Sequence, residues 1–261
     1  ASKASASASH CALVAPASAY ARWSEANSGR PARRPVGIAT AHPTTRTTRV
    51  TKATAAEAAG VSLNYEAAIA GGIPIVKALR EGLAGNRVTR VYGILNGTCN
   101  YILTEMREER LSYETVLADA QKLGYAEAEP SVDVDGIDAA HKLALLASLA
   151  FGTKVNFEGV YTEGIRKVAL EDIDYAEEFG YRIKLLGSAR MTEHGLEQRV
   201  YPCMVSKSAP IAHVEGAYNA VVAHGDFVDD TLYQGSASIS VRPTRIESEV
   251  VGLAQVTILR P

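Results

Sequence analysis

Cysteine is scarce in this chain, and long apolar runs are absent. Cys11, Cys99 and Cys203 lie far apart, which excludes both a disulfide framework and the paired spacing of a zinc site. The longest strongly apolar stretch, residues 143–151, is about half of what a bilayer span needs. No apolar stretch near the N-terminus is typical of a secretory leader. We therefore expect a protein of a reducing, cytoplasmic compartment with no membrane segment.

Acidic residues are scarce in the first 50 positions, where seven basic side chains stand against Glu25 alone. That segment carries about +6 and the remainder about −8, which argues against nucleic acid as a partner. Its Ala, Ser, Thr, Pro and Arg content and its lack of an apolar period predict a low-complexity, largely disordered leader over residues 1–54. An organelle transit peptide and an unrelated leader share this composition, so both interpretations stay open.

Strand-like and helix-like patterns interleave from residue 55 onwards. The sequence predicts strands at residues 61–69, 87–95, 157–162, 182–191, 196–205, 217–224 and 231–233. It predicts helices at residues 74–83, 98–109, 112–123, 136–151 and 170–179. This alternation favours an α/β fold with one mixed sheet and helices packed on it. We expect that domain at residues 55–235, followed by a divergent tail at residues 236–261.

An acidic loop precedes the most apolar predicted helix. Crowded carboxylates are costly unless a cation, a metal or water offsets them. Asp135 is predicted to cap the helix, and Asp138 and Lys142 share one helix face because they are four positions apart. Since residues 143–151 are apolar, we expect Lys142 where solvent meets the core. The five carboxylates of this segment are Glu127, Glu129, Asp133, Asp135 and Asp138.

Three interpretations of the loop follow from this spacing. In the first, it is solvated, and Asp138 and Lys142 form a surface pair worth under about 1 kcal/mol. In the second, its carboxylates bind a ligand ammonium group and the lysine transfers a proton. The third, a calcium loop, is disfavoured because Gly136 comes too early and no glutamate closes the frame.

Three longer blocks carry a family resemblance. The first is residues 123–142, where the acidic loop leads into Asp-Ala-Ala-His-Lys. The second is residues 65–75 (Tyr-Glu-Ala-Ala-Ile-Ala-Gly-Gly-Ile-Pro-Ile), and the third is residues 93–104 (Gly-Ile-Leu-Asn-Gly-Thr-Cys-Asn-Tyr-Ile-Leu-Thr). In this order and spacing they resemble homoserine dehydrogenases over about residues 55–235. The resemblance implies that family's catalytic domain, which interconverts L-homoserine and L-aspartate 4-semialdehyde with NAD or NADP in threonine, isoleucine and methionine biosynthesis.

The resemblance also implies residue roles. Lys142 matches the lysine that protonates the developing alkoxide, and Asp138 matches the aspartate that orients this lysine. Glu127 matches the glutamate that binds the substrate α-amino group. The remaining substrate-binding positions are Asp133, Tyr125, Gly97 and Thr98.

A monovalent-cation site is implied by the second block. The resemblance assigns its carboxylate to Glu66 and its backbone carbonyls to Ile69, Gly71 and Ile73, and oxygen-only ligation suits sodium. A strand-to-helix turn that needs glycine for its shape, with Glu66 merely solvated, explains the same residues.

No Gly-x-Gly-x-x-Gly turn occurs in the sequence, so the cofactor-binding residues stay unassigned and NAD is not distinguished from NADP. Two functions follow. One is a homoserine dehydrogenase acting on its small-molecule substrate; the other is a catalytically silent fragment that keeps the pocket and the dimerisation sheet. The resemblance implies a homodimer. Cys99 is predicted to be a small buried residue rather than a nucleophile, and His141 to be structural.

Overall fold

The computed structural model describes residues 48–60, 62–237 and 257–259, and most of its strands form one mixed sheet. Six strands lie in the order β3-β5-β4-β2-β6-β7 when the strands are numbered along the chain, and β1 pairs separately with β8. In the larger sheet β3 runs parallel to β5, and the other neighbouring pairs are antiparallel. The strands are β1 (Ser62–Asn64), β2 (Val88–Ile94), β3 (Val160–Thr162), β4 (Tyr181–Thr192), β5 (Gly195–Ser206), β6 (Tyr218–Gly225), β7 (Asp229–Ser236) and β8 (Thr257–Leu259).

Helices cover one face of the six-stranded sheet. The described α-helices are α1 (Thr48–Ala59), α2 (Ala67–Ala70), α3 (Ile75–Lys77), α4 (Gly97–Glu108), α5 (Tyr113–Lys122), α6 (Ser131–Val134), α7 (Ile137–Phe151) and α8 (Leu170–Glu178). A π-helical turn, Ala78–Gly82, extends α3. The α/β class with one mixed sheet and helices packed on it is therefore confirmed.

The core lies between α7 and the sheet. Leu143 and Leu146 of α7 are fully buried and pack in one cluster with Val91 of β2 and Leu185 of β4. On the second face of the sheet, a smaller cluster packs against a 3-10 turn, Pro210–His213. Because α7 is apolar on most of its surface, most of the helix is buried against the sheet. This packing determines the position of its polar first turn. That first turn carries Asp138 and leads to Lys142.

Two local predictions are wrong. The strand predicted at residues 61–69 is extended only at Ser62–Asn64, and Ala67–Ala70 is helical. Alanine favours helix, and Gly71 ends this short helix at a φ of 61°. Asp135 does not cap α7: the N-cap is Gly136, with a φ of 82°, and the Asp135 carboxylate pairs with Arg166 instead.

The structure describes only part of the predicted leader and of the predicted tail. Helix α1 crosses the predicted boundary between residues 54 and 55, and that boundary stays a prediction. Residues 1–47 of the predicted leader, and residues 238–256 and 260–261 of the predicted tail, lie outside the described residues. Among the residues described, no helix is long and apolar enough to cross a bilayer.

Candidate active site

A buried ion pair stands at the first turn of α7. The Lys142 Nζ atom lies 2.6 Å from Asp138 Oδ2, and the two side chains are 13% and 3% exposed. The same Nζ donates to the backbone carbonyl of Leu95, at 2.8 Å, where β2 has just ended. The predicted helix face is confirmed by this contact, and the interpretation as a surface pair is wrong. Strand β2 and helix α7 together hold the ammonium group in one position.

Asn96 joins this pair to a second carboxylate. Its Nδ2 donates to Asp133 Oδ1 at 2.8 Å and to Asp138 Oδ2 at 3.0 Å. Its Oδ1 accepts the backbone N–H of Cys99 at 2.9 Å and so caps α4. Asn96, Asp133 and Asp138 are each less than 5% exposed. Sequence reasoning missed Asn96 as a site residue, although an asparagine directly before a helix is itself a capping signal.

The remaining carboxylates of the acidic loop lie outside this buried network. Asp135 is held by Arg166, a partner that sequence reasoning did not identify. Ser131 donates to Glu129 through its hydroxyl and backbone, which holds the pKa of that carboxyl below its ordinary value. Glu127 is an exposed residue whose backbone carbonyl accepts from Gln121 at 3.0 Å. The crowding seen in the sequence is thus reduced, because Asp133 and Asp138 are buried beside Asn96 while Asp135 pairs with Arg166.

The N-terminus of α4 meets the start of the acidic loop. Thr98 Oγ1 donates to the Tyr125 carbonyl at 2.8 Å. The Tyr125 ring, 48% exposed, lies 4.7 Å from the ring of Tyr101, measured between centroids. Gly97 is buried so tightly that a Cβ there would overlap the side chain of Ala237. Three predicted substrate-binding positions therefore lie beside one another around the start of α4.

The predicted cation loop follows β1 and includes Glu66 and Gly71. Glu66 accepts the backbone N–H groups of Val76, at 2.7 Å, and Lys77, at 3.0 Å. Glu66 is half-buried, so it does more than contact solvent. Gly71 has a φ of 61°, and a Cβ there would lie 2.8 Å and 2.5 Å from the carbonyl oxygens of Ser236 and Ala237. The backbone at this point is therefore crowded with carbonyl groups.

Cys99 and His141 have structural surroundings. The Cys99 thiol is fully buried and donates to the Asp133 carbonyl at 3.2 Å. Burial raises the pKa of this thiol well above its ordinary value, and the nearby Asp133 raises it further. A neutral thiol is a poor nucleophile. The His141 ring stacks on Phe157 with centroids 3.9 Å apart, on a different side of α7 from Lys142.

A family model matches the part of the chain that holds the blocks at residues 93–104 and 123–142. The family model for homoserine dehydrogenase matches residues 74–241. This chain belongs to the homoserine dehydrogenase family. The matched segment includes the whole cluster of Asn96, Asp133, Asp138 and Lys142, so the buried network is a feature of the part of the chain that defines the family.

Individual homoserine dehydrogenases align over the same region. The enzyme of Pseudomonas aeruginosa is 55% identical over 185 residues, which is 71% of this chain and 42% of that protein. The enzyme of Neisseria gonorrhoeae is 50% identical over 202 residues, 77% of this chain and 46% of that protein. This chain therefore spans less than half the length of these curated relatives.

Solved structures of the family share the fold. The crystal structure of a homoserine dehydrogenase from Thiobacillus denitrificans is 53% identical, has a TM-score of 0.70, and aligns over 74% of this chain and 45% of that one. A hyperthermophilic archaeal homoserine dehydrogenase in complex with NADPH is 28% identical, with a TM-score of 0.56 over 66% of this chain and 49% of that one.

Proposed function

We propose that this chain supplies the substrate pocket and the proton donor of an NAD(P)-dependent homoserine dehydrogenase. One observation carries the proposal. Within the described residues, the Lys142 ammonium spends two of its three N–H groups on Asp138 and on the Leu95 carbonyl. Because two N–H groups are fixed, the third points in one defined direction, and a substrate oxygen placed there can accept its hydrogen bond.

The chemistry of an aldehyde reduction requires such a group. When a hydride adds to the carbonyl carbon of aspartate 4-semialdehyde, negative charge develops on the carbonyl oxygen. Lys142 stabilises that charge and donates the proton that completes the hydroxyl of homoserine. In the oxidative direction Lys142 takes the hydroxyl proton back. Asp138 orients the ammonium throughout, and its negative charge keeps the buried cation from standing alone.

The substrate's own charges fit the surrounding groups. The carboxylates of Asp133 and Glu127 suit the α-ammonium group of the amino acid. The N–H groups of Gly97 and Thr98 belong to the first turn of α4, which has no earlier helical acceptors, and they suit the α-carboxylate. Tyr125 borders the same region. The contact from Thr98 to the Tyr125 carbonyl supports a single pocket built from α4 and the acidic loop.

Hydride transfer belongs to the nicotinamide cofactor, for which the archaeal relative's complex with NADPH gives support. The Gly-x-Gly-x-x-Gly turn that cradles a dinucleotide is absent from the sequence. The described residues do not supply that cradle. The proposal therefore assigns them substrate binding and proton transfer alone.

The proposal includes a sodium ion at the Glu66 turn. A carboxylate has about four lone-pair positions, so Glu66 keeps acceptor capacity beyond its two backbone bonds. The carbonyls of Ile69, Gly71 and Ile73 lie on the same tight turn, and a hard monovalent ion prefers such oxygens. We expect NaCl, at constant ionic strength set with tetramethylammonium chloride, to raise the Tm of the chain. Glu66→Gln should abolish this increase and the exposed control Glu81→Gln should keep it.

We also propose a cytoplasmic homodimer that associates through the second face of the sheet. The described α-helices pack on the other face. Leu232 of β7 is 38% exposed and lies opposite Val222, a member of the smaller apolar cluster. The two described cysteines are free thiols, as expected in a reducing compartment. Sedimentation velocity should give twice the monomer mass, and Leu232→Asp should shift the chain toward monomer. A monomer at all concentrations would contradict this part of the proposal.

Homoserine-dependent reduction of NADP⁺ by the purified chain tests the central claim. Lys142→Ala should lower kcat by at least about 100-fold, the usual contribution of a positioned general acid. Lys122→Ala is a matched control, because Lys122 pairs with Asp119 at 2.8 Å on a helix but is 75% exposed. It should leave kcat unchanged. Calorimetric titration with homoserine measures binding separately.

Two outcomes contradict the proposal in different ways. Homoserine binding without turnover would favour the catalytically silent fragment that retains the pocket. Turnover that is equal in wild type and in Lys142→Ala would show that another group transfers the proton.

A further inference from the structure

The orientation of the Asn96 side chain is fixed by its own backbone contacts. A backbone N–H can only donate, so the Cys99 N–H must face the amide oxygen of Asn96 rather than its nitrogen. The NH₂ group is thereby turned toward the carboxylates, and its two hydrogens match Asp133 and Asp138 one to one. The amide oxygen and both amide hydrogens of Asn96 therefore each have a partner.

The groups around this amide are strongly charged. Asp133 approaches from α6, and Asp138 and Lys142 approach from α7. From α4 itself comes the Cys99 thiol, and Asp135 lies further out beside Arg166. Both carboxylate oxygens lie within 3.0 Å of one nitrogen, so the two negative charges would repel each other without a donor between them. Lys142 contacts one of them, Asp138, at 2.6 Å.

We propose that Asn96 is a positioning residue that lets two buried carboxylates stay ionised side by side and, through Asp138, aims the ammonium of Lys142. Its effect on turnover rests on the proposed function; its effect on the charge of the cluster does not. A carboxylate that bound a proton here would give up its pairing with Lys142 or its affinity for a substrate ammonium group. Asn96 thus has two roles: it caps α4, and it lies between the carboxylates of Asp133 and Asp138 as a shared hydrogen-bond donor.

Asn96→Asp separates the two roles of this side chain. Aspartate has nearly the same shape and is as good an N-cap as asparagine, so the bond from Cys99 can persist. The two donated hydrogen bonds are replaced by a third negative charge. Asn156→Asp is the matched control: Asn156 Oδ1 also accepts the N–H three residues ahead, from Gly159 at 3.0 Å, but Asn156 is exposed.

Thermal unfolding as a function of pH tests the proposal without any substrate. In Asn96→Asp the native cluster should hold a proton to higher pH than the unfolded chain does. The native state then binds more protons, so its stability falls as pH rises. We expect the Tm deficit of Asn96→Asp relative to wild type to widen by roughly 5 °C between pH 5 and pH 8. Asn156→Asp should run parallel to wild type.

Turnover gives a second measurement. The acid limb of kcat/KM for homoserine oxidation should move to higher pH by at least about one unit in Asn96→Asp and not in Asn156→Asp. If the wild-type chain shows no turnover, the proposed function fails while the unfolding curves still decide the role of Asn96. Parallel unfolding curves for Asn96→Asp and Asn156→Asp would overturn the positioning role.

A double variant covers the case in which Asn96→Asp does not fold. Asn96→Asp combined with Asp133→Asn restores one amide and one carboxylate to the same contact with their positions exchanged. It should fold and be more stable than Asn96→Asp at pH 8. Both variants keep an aspartate cap at position 96, and only the double variant restores an amide facing a carboxylate. A double variant no more stable than the single one at that pH would therefore overturn the proposal.

Discussion

The charged groups of Lys142 and Asp138 meet at 2.6 Å on α7, although their side chains are only 13% and 3% exposed. A pair this deep differs from a surface pair in its consequences. Removing one partner leaves the other buried without compensation, and that cost is larger than any net gain from the pair.

Asp138→Ala should therefore lower the free energy of unfolding by about 3 kcal/mol. Asp119→Ala, which breaks the exposed pair with Lys122, should lower it by less than about 0.5 kcal/mol. Urea denaturation of the three proteins measures both values. Equal small losses would mean that solvent reaches Asp138 and that the pair is not buried in solution.

Gly71 combines a left-handed backbone with a close contact. Gly71→Ala introduces a Cβ at 2.8 Å and 2.5 Å from two carbonyl oxygens, so the turn must open as well as tolerate a φ of 61°. Gly180→Ala is the control, since Gly180 has a φ of 81° with nothing within 4 Å of its Cβ position. We expect a loss of roughly 1 kcal/mol for Gly180→Ala and at least about twice that for Gly71→Ala. Similar losses in urea denaturation would contradict the crowding at Gly71.

Lys184 is a second buried lysine, on β4 and away from the candidate active site. It is 2% exposed and donates to Asn100 Oδ1, at 3.1 Å, and to the Val214 carbonyl, at 2.6 Å. Burial lowers the pKa of Lys184 from 10.5 to about 8. Between these two pH values the unfolded chain binds more protons than the native chain.

Because of this difference, Lys184 should make the protein more stable as pH rises from about 8 to 10.5, by up to about 3 kcal/mol. Below pH 8 its contribution to the slope disappears, because both states are protonated. Other groups titrate in this range, so the measurement is the difference between wild type and Lys184→Met. Two parallel stability curves would show that Lys184 is not desolvated.

Cys99 should resist chemical labelling. Its thiol is buried in the native chain, whereas Cys203 is only partly buried. Burial raises the pKa of both thiols. In a Cys11→Ser background, iodoacetamide at pH 8 should modify Cys203 first. Mass spectrometry should find Cys99 modified only when denaturant is added. Rapid modification of native Cys99 would indicate that α4 opens readily.

The sequence determined the helix boundaries that depend on local signals. The helix predicted at residues 112–123 is found as α5, and Ser112 lies directly before it and caps it. The face shared by Asp138 and Lys142 also follows from sequence alone, because four positions along a helix bring two side chains together. The three blocks of family sequence identified the family for the same reason: each is continuous along the chain.

Local sequence preferences gave the wrong structure at two places. Residues 61–69 read as one strand, yet the chain becomes helical at Ala67 because its neighbours are alanines and Gly71 ends the turn. Asp135 has the chemistry of an N-cap, but Arg166, 31 positions further along, takes its carboxylate. A partner so far away along the chain leaves no local pattern to find.

What tertiary structure alone decided is the state of the charges. The spacing of the five carboxylates in residues 127–138 did not indicate which of them would be buried. The answer depended on Asn96, 37 and 42 positions before Asp133 and Asp138, and on the end of β2, whose Leu95 carbonyl receives Lys142. Spacing along a helix fixes which side chains are neighbours. Packing of distant elements fixes whether those neighbours meet in water or in the interior, and therefore whether they are an ordinary surface pair or the centre of a site.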